Sequence, residues 1–268
     1  MEYIITCTAE ELALMVTVCG YPGVAKGIAE ASLGEKTPQE WEAIMGTAAR
    51  QLILKQVWDS EKERRDEVPF SEEAQQFIRE YVESKWMIRC VHQTGANILM
   101  IHHVGQDKWM SHVIDQDMFH EFSYINEEEI PEIIRSYYSF SDAPSEKSAS
   151  FQLTDKMFDL LSKPDKTEKV RKKNRFAPEE EQSFDHFITD LEKNSWLLMN
   201  ISFFNIPSME ADPILENIVF FLPSDAGIWI VEYTEDRKTP VHIELNTHEE
   251  WCGLLNGVGT VAAMVNQG

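Results

Sequence analysis

FIREYVESKWMI (Phe77–Ile88) and FITDLEKNSWLL (Phe187–Leu198) are two versions of one phrase, 110 residues apart. Each opens on Phe-Ile, places a tryptophan nine positions after the phenylalanine, and follows it with two large apolar residues. Ahead of each tryptophan one helical face is apolar. Ala74, Phe77, Ile78 and Tyr81 fall at i, i+3, i+4 and i+7, as do Phe184, Phe187, Ile188 and Leu191. After Trp86 and Trp196 the pattern becomes strand-like, in WMIRCVHQTG and WLLMNISFFN.

Further matches follow at an offset of 120, the second copy having a longer loop. NILMIHHVGQDKW (Asn97–Trp109) stands opposite NIVFFLPSDAGIW (Asn217–Trp229), each reading as two strands around a Gly- and Asp-rich turn. Ile125-Asn126 then matches Leu245-Asn246, closing a strand and opening a helix. NEEEIPEIIRSYYSF and NTHEEWCGLLNGV offer Asn or Thr as the cap and Glu in the first turn. The sequence therefore predicts an α+β fold, internally duplicated. Each of the two pseudo-symmetric halves is an antiparallel sheet of about four strands flanked by helices. Residues 1–140 form the first half and 151–268 the second, sharing one core, with SDAPSEKSAS (141–150) as the connecting segment. Recurrence of Trp86, Trp109, Trp196 and Trp229 at equivalent places predicts core packing for all four.

Helices flank the repeat. Thr8 with Glu11 and Thr37 with Glu40 are capping boxes, the second with Pro38 at the first helical position. PQEWEAIMGTAARQLILKQVW then reads as a long amphipathic helix, GYPGVAKG (Gly20–Gly27) as a turn, and FQLTDKMFDLLSK as a shorter helix.

The formal charge of −22 repels nucleic acid and anionic membranes. KPDKTEKVRKKNR (Lys163–Arg175) runs against it, with seven of the 24 basic residues and two of the 46 acidic ones. It reads as a solvated linker or helix face beside an acidic body. The charge mixture in VWDSEKERRDEVPFSEE leaves no basic recognition helix, which argues against a winged-helix DNA reader. No apolar run approaches the ~18 residues of a membrane span. The opening MEYIITCTAEEL lacks a basic n-region, and the four cysteines show no C-x-x-C spacing, so a cytoplasmic protein with reduced thiols is expected.

Catalytic motifs are missing: there is no G-x-S-x-G, P-loop, H-E-x-x-H or G-x-G-x-x-G. The runs Glu127-Glu128-Glu129 and Glu179-Glu180-Glu181 sit where helix starts favour acids. His92, His102, His103, His112 and His120, with Cys90, fall on neighbouring strands of the first half and have ligand chemistry. Period two sends His102 and His103 to opposite faces, and the second half has Leu222 and Pro223 in their place. Ordinary strand histidines are expected, with no metal and no cofactor. NIPSMEADPILEN (Asn205–Asn217), the extra length in the second copy, carries Ile206, Met209, Ile214 and Leu215 beside two prolines. These four are the candidate partner-binding residues of an apolar loop, the alternative being that the loop folds back and covers its own sheet.

The Thr8-Ala9-Glu10-Glu11-Leu12 opening resembles the T-x-E-E-L/F helix that begins the EspG-type chaperones of type VII secretion. AARQLILKQVWDSE (Ala48–Glu61), followed by the helix from Ser71, is similar to the small-residue helix preceding that family's first sheet. The resemblance implies two related halves and a cytosolic, non-enzymatic protein that holds a helical secretion substrate soluble before export. The Lys-, Glu- and Ile-rich composition resembles a Firmicutes-like relative serving WXG- or LXG-type substrates. An immunity protein against a toxin from such a locus is the alternative, binding the toxin's catalytic domain. A third reading is an enzyme with an unfamiliar site.

Overall fold

The computed structural model describes residues 1–92, 95, 97–105, 107–140, 149–209 and 211–265, with side chains through residue 262. Its elements are β1 (Glu2–Thr8), α1 (Ala9–Val18), α2 (Pro22–Leu33), α3 (Pro38–Leu54), α4 (Ser60–Arg64), α5 (Glu72–Val82), β2 (Trp86–Val91), β3 (Asn97–Gly105), β4 (Lys108–Asp115), β5 (Phe119–Asn126) and α6 (Ile130–Tyr138). There follow β6 (Ser150–Leu153), α7 (Asp155–Leu160), α8 (Thr167–Asn174), α9 (Pro178–Lys193), β7 (Met199–Asn205), β8 (Ile214–Ser224), β9 (Gly227–Tyr233), β10 (Val241–Asn246) and α10 (His248–Val265). The fold is α+β, with strand order β1-β5-β4-β3-β2-β7-β8-β9-β10-β6. The chain forms two compact units. One comprises Met1–Ile88, Ala96–Glu127 and Phe203–Glu216; the other comprises Arg89–Gly95, Glu128–Ser202 and Asn217–Gly268.

In the first unit β1, β3, β4 and β5 pair antiparallel, and α1 and α5 bury their apolar faces. Leu12, Met15, Phe77 and Ile78 from those helices meet Met110 and Phe122 from the strands, with the Phe77 and Phe122 rings 4.9 Å apart. The Thr8–Glu11 capping box starts α1 as expected. The buried Glu11 carboxylate accepts the Thr8 N–H at 2.8 Å and the Lys55 ammonium at 2.7 Å. Thr37 and Glu40 do the same for α3. GYPGVAKG is no simple turn. Only Gly20, at φ 98°, turns the chain; Pro22 opens α2 with its preset φ, and the helix runs through Gly23 and Gly27 to bury Ala25 and Ala29.

In the second unit β6, β10, β9 and β8 pair antiparallel under α9. Phe151, Phe184, Phe187 and Trp229 form one aromatic cluster, with Phe151 5.5 Å from both Phe184 and Phe187. The Trp229 indole N–H donates to the buried Asp190 carboxylate at 3.0 Å, so its one polar atom is satisfied. Gly227 turns β8 into β9 at φ 144°, and a Cβ there would lie 2.4 Å from the Asn246 carbonyl oxygen.

Several expectations need correction. Among the described residues each half contains five strands, where about four were expected, because β1 and β6 precede the helices. Ser150–Leu153 is strand, and the helix read from Phe151 begins at Asp155, where Thr154 accepts the Met157 N–H at 3.3 Å. Asn126 does not cap α6, since the 3-10 turn Glu127–Glu129 intervenes, whereas Thr247 exchanges hydrogen bonds with Glu250 at the start of α10. The proposed connecting segment lies outside the described residues except for Ala149 and Ser150.

Strand register recurs at the offset of 120. Trp109 pairs with Ile125 and Lys108 with Asn126; Trp229 pairs with Leu245 and Ile228 with Asn246. Trp109 and Trp229 are fully buried. Trp86 and Trp196 are half-buried and differ in setting. Trp86 opens β2, whereas Ser195 and Trp196 take left-handed conformations after α9 and delay β7 to Met199. Replacement by alanine is expected to cost ~3–5 kcal/mol at Trp109 and at Trp229. Trp86 and Trp196 should lose clearly less, and equal losses in urea melts of the four variants would contradict this division.

Candidate partner-binding surface

β7 ends at Asn205, and the connection to β8 is fastened at its start. The Ile206 N–H donates to the Lys85 carbonyl at 2.7 Å, and the Lys85 ammonium donates to the Pro207 carbonyl at 3.1 Å. Beside them the Trp86 and Phe203 rings stack at 5.4 Å. Ile206 is half-buried by this anchorage. Met209, Ile214 and Leu215 stand out, at 54%, 51% and 48% exposure. The spacing predicts a loop for all four, but Ile214 and Leu215 belong to β8. As successive strand residues they project to opposite faces, so both faces of this strand end are apolar and wet. The β8–β9 register covers Phe220–Ser224, well beyond this end.

The histidines are gathered differently. His102 of β3, His112 of β4 and His120 of β5 share the helix-facing side and stack in a row. Ring centroids lie 5.7 Å apart for His102–His112 and 5.1 Å for His112–His120. His112 Nε2 and His120 Nδ1 share a hydrogen bond of 2.8 Å. Tyr81 of α5 meets His102 and His112 edge-on, and Phe122 stacks on His112 at 4.1 Å. His103 points to the other face, against Trp109, as the period-two pattern requires. Stacked rings present faces to one another and do not converge lone pairs on a point. Among the described residues no group of three or more His, Cys, Asp or Glu is placed to hold a metal ion. Burial pushes the pKa of His102 and of His120 down to about 4, and that of His112 well below its usual range.

Two other arrangements have catalytic residue types without catalytic geometry. Ser224 Oγ lies 3.4 Å and Asp190 Oδ2 3.2 Å from the same atom, His186 Nε2. A Ser-His-Asp relay needs the acid and the hydroxyl on different ring nitrogens. Here Asp190 serves the Trp229 indole and lies 3.4 Å from the Lys193 ammonium. The Cys7 and Cys90 thiols are buried, and burial pushes both up to about 12, so neither supplies a thiolate near neutrality.

The sequence matches the family described as "Uncharacterised protein YfjC" over residues 6–249. The chain belongs to the YfjC family. The match runs from β1 into the first turn of α10, so it takes in both units and the Met209–Leu215 surface. No curated protein matches this YfjC-family chain. Among the described residues no helix is long and apolar enough to cross a membrane.

The histidine row makes stability depend on pH. The folded pKa values lie below the ~6.5 of an unfolded histidine. Above that pH neither state takes up protons at these rings. As pH falls toward 4 the unfolded chain binds protons that the folded chain refuses, and stability drops, by on the order of 3 kcal/mol for each of His102 and His120 once pH is below both values. Urea midpoints should therefore fall between about pH 6.5 and 4.5, and less steeply in a His102→Leu/His120→Leu variant. An identical slope in that variant would assign the acid sensitivity elsewhere.

Proposed function

We propose that this chain is a non-enzymatic cytoplasmic binding protein, a chaperone-like accessory factor that holds a helical type VII secretion substrate of the WXG or LXG kind soluble before export. The observation that carries the reading is the exposure of Met209 on the β7–β8 connection and of Ile214 and Leu215 at the start of β8, three half-exposed apolar side chains in a chain of net charge −22. Apolar groups held out in this way favour a partner that covers them, while the charge keeps chain and cargo dispersed. The mechanism is masking: these side chains insert among the apolar side chains at the tip of a helical substrate, which removes both surfaces from water. The EspG-type resemblance of the Thr8–Leu12 opening and the Ala48–Glu61 stretch, with the two related halves it implies, supports it. We infer that the two halves arose by duplication.

The test is a tagged pull-down from the native host's cytosol, followed by calorimetry with the recovered partner. Recovery of an export-bound protein through its helical domain is the expected result. Ile214→Ser/Leu215→Ser should leave the fold intact and weaken binding at least tenfold, given ~1.5–3 kcal/mol for burying each such side chain. Unchanged affinity would remove these residues from the site. Recovery through a toxin's catalytic domain would replace the chaperone reading with immunity.

A further inference from the structure

The first unit contains a cleft of about 540 Å³ between β1 and α5, closed at one end by the turn after α3. Ile5, Met15, Val57 and Phe77 form its apolar floor, and Glu2, Glu73, Glu80 and Lys108 its rim. It shares no residue with the Met209–Leu215 surface and does not depend on the chaperone reading. We propose that this cleft receives an extended segment of a partner protein, three to four residues long, with an aliphatic side chain directed at the floor and a Lys or Arg at the rim.

Among the described residues β1 is the terminal strand in the sheet order, with β5 as its neighbour. An edge strand offers its outer N–H and C=O groups to a further strand. The Thr6–Thr8 end is already engaged: the Lys55 ammonium donates to the Thr6 carbonyl at 3.3 Å, and the Thr8 N–H goes to Glu11. The Glu2–Ile5 end is the part that lines the cleft. Within it Ile4 is a bulge residue, with no opposite in β5, where the register passes from Tyr3–Ser123 to Ile5–Phe122.

Dimensions agree on the two walls. Glu2–Ile5 spans about 10 Å at ~3.3 Å per strand residue. The α5 wall, from Ser71 to Glu80, spans about 13 Å at 1.5 Å per helical residue. Three to four extended residues fit this length, lying between a strand edge and a helix as in strand addition.

The rim sets the charge. Three carboxylates face one ammonium, and that ammonium sits 3.3 Å above the Tyr124 ring. Glu80 is held in place by Tyr124 Oη at 2.6 Å and by Gln76 Nε2 at 2.7 Å. A basic segment meets a net negative, partly prearranged rim, and an acidic one meets repulsion.

Fluorescence anisotropy with the full chain tests this, using a labelled Lys-Val-Lys-Leu-Lys-Val peptide, its Glu-for-Lys counterpart, and a backbone N-methylated basic version. We expect saturable binding of the basic peptide, at least tenfold weaker for the acidic and N-methylated peptides. Ala74→Phe, on the α5 wall, should abolish binding with an unchanged far-UV spectrum. Glu2→Lys/Glu73→Lys, at exposed positions, should invert the preference to the acidic peptide. No saturable binding, equal binding of both charge forms, or retention of binding in Ala74→Phe would overturn the proposal. Equal binding of the N-methylated peptide, or displacement by spermidine at similar concentration, would identify a site for cationic amines and overturn strand addition.

Discussion

Backbone N–H and C=O groups buried in a sheet must find partners, so an interior strand needs a neighbour along each of its edges. In each half the last strand of a meander is closed by the strand that opens that half: β5 takes β1, and β10 takes β6. The chain between opening strand and meander must therefore leave the sheet and return, and it does so as helices. Both departures use the same chemistry. Thr8 and Thr154 end a strand and, through their hydroxyls, accept the N–H three residues on at 3.3 Å. The helices that follow carry the apolar faces that the sheet needs covered, so closure of the edge dictates what fills the core.

Burial under those helices forces each polar group into an arrangement with few alternatives. Glu11 ties together the end of β1, the start of α1 and Lys55. Asp190 does comparable work in the second unit, satisfying the Trp229 indole with His186 and Lys193 beside it. Such networks cost little when complete and much when broken, because the partner left behind is still buried. The same residues, taken by type alone, look catalytic; their geometry shows them occupied in holding elements together.

Much of this was legible in the sequence because it depends on short-range periodicity. The apolar faces of α5 and α9, the two capping boxes and the paired hairpins all show themselves within a dozen residues. β1 and β6 escaped because each runs directly into a capped helix, so the cap residue was read and the few extended residues before it were not. α2 escaped because its glycines outweighed the proline that starts it. Trp196 matched Trp86 by spacing, but two left-handed residues, invisible to any pattern of hydrophobicity, give it a different place. Of the candidate surface, the apolar character of Ile206, Met209, Ile214 and Leu215 was readable, whereas the extension of β8 through two of them was not. The cleft was beyond reach, since β1, Val57 and α5 are brought together only by the closure of β1 onto β5.

The exposed apolar start of β8 has a cost for a chain in which nothing covers it. Apolar residues on both faces of a strand can pack against the same residues of a second copy. A net charge of −22 opposes that encounter at long range, but only over the Debye length, about 8 Å at physiological ionic strength. Colloidal behaviour is thus coupled to salt: the repulsion that keeps copies apart in dilute buffer shortens as ions are added, while the apolar attraction does not.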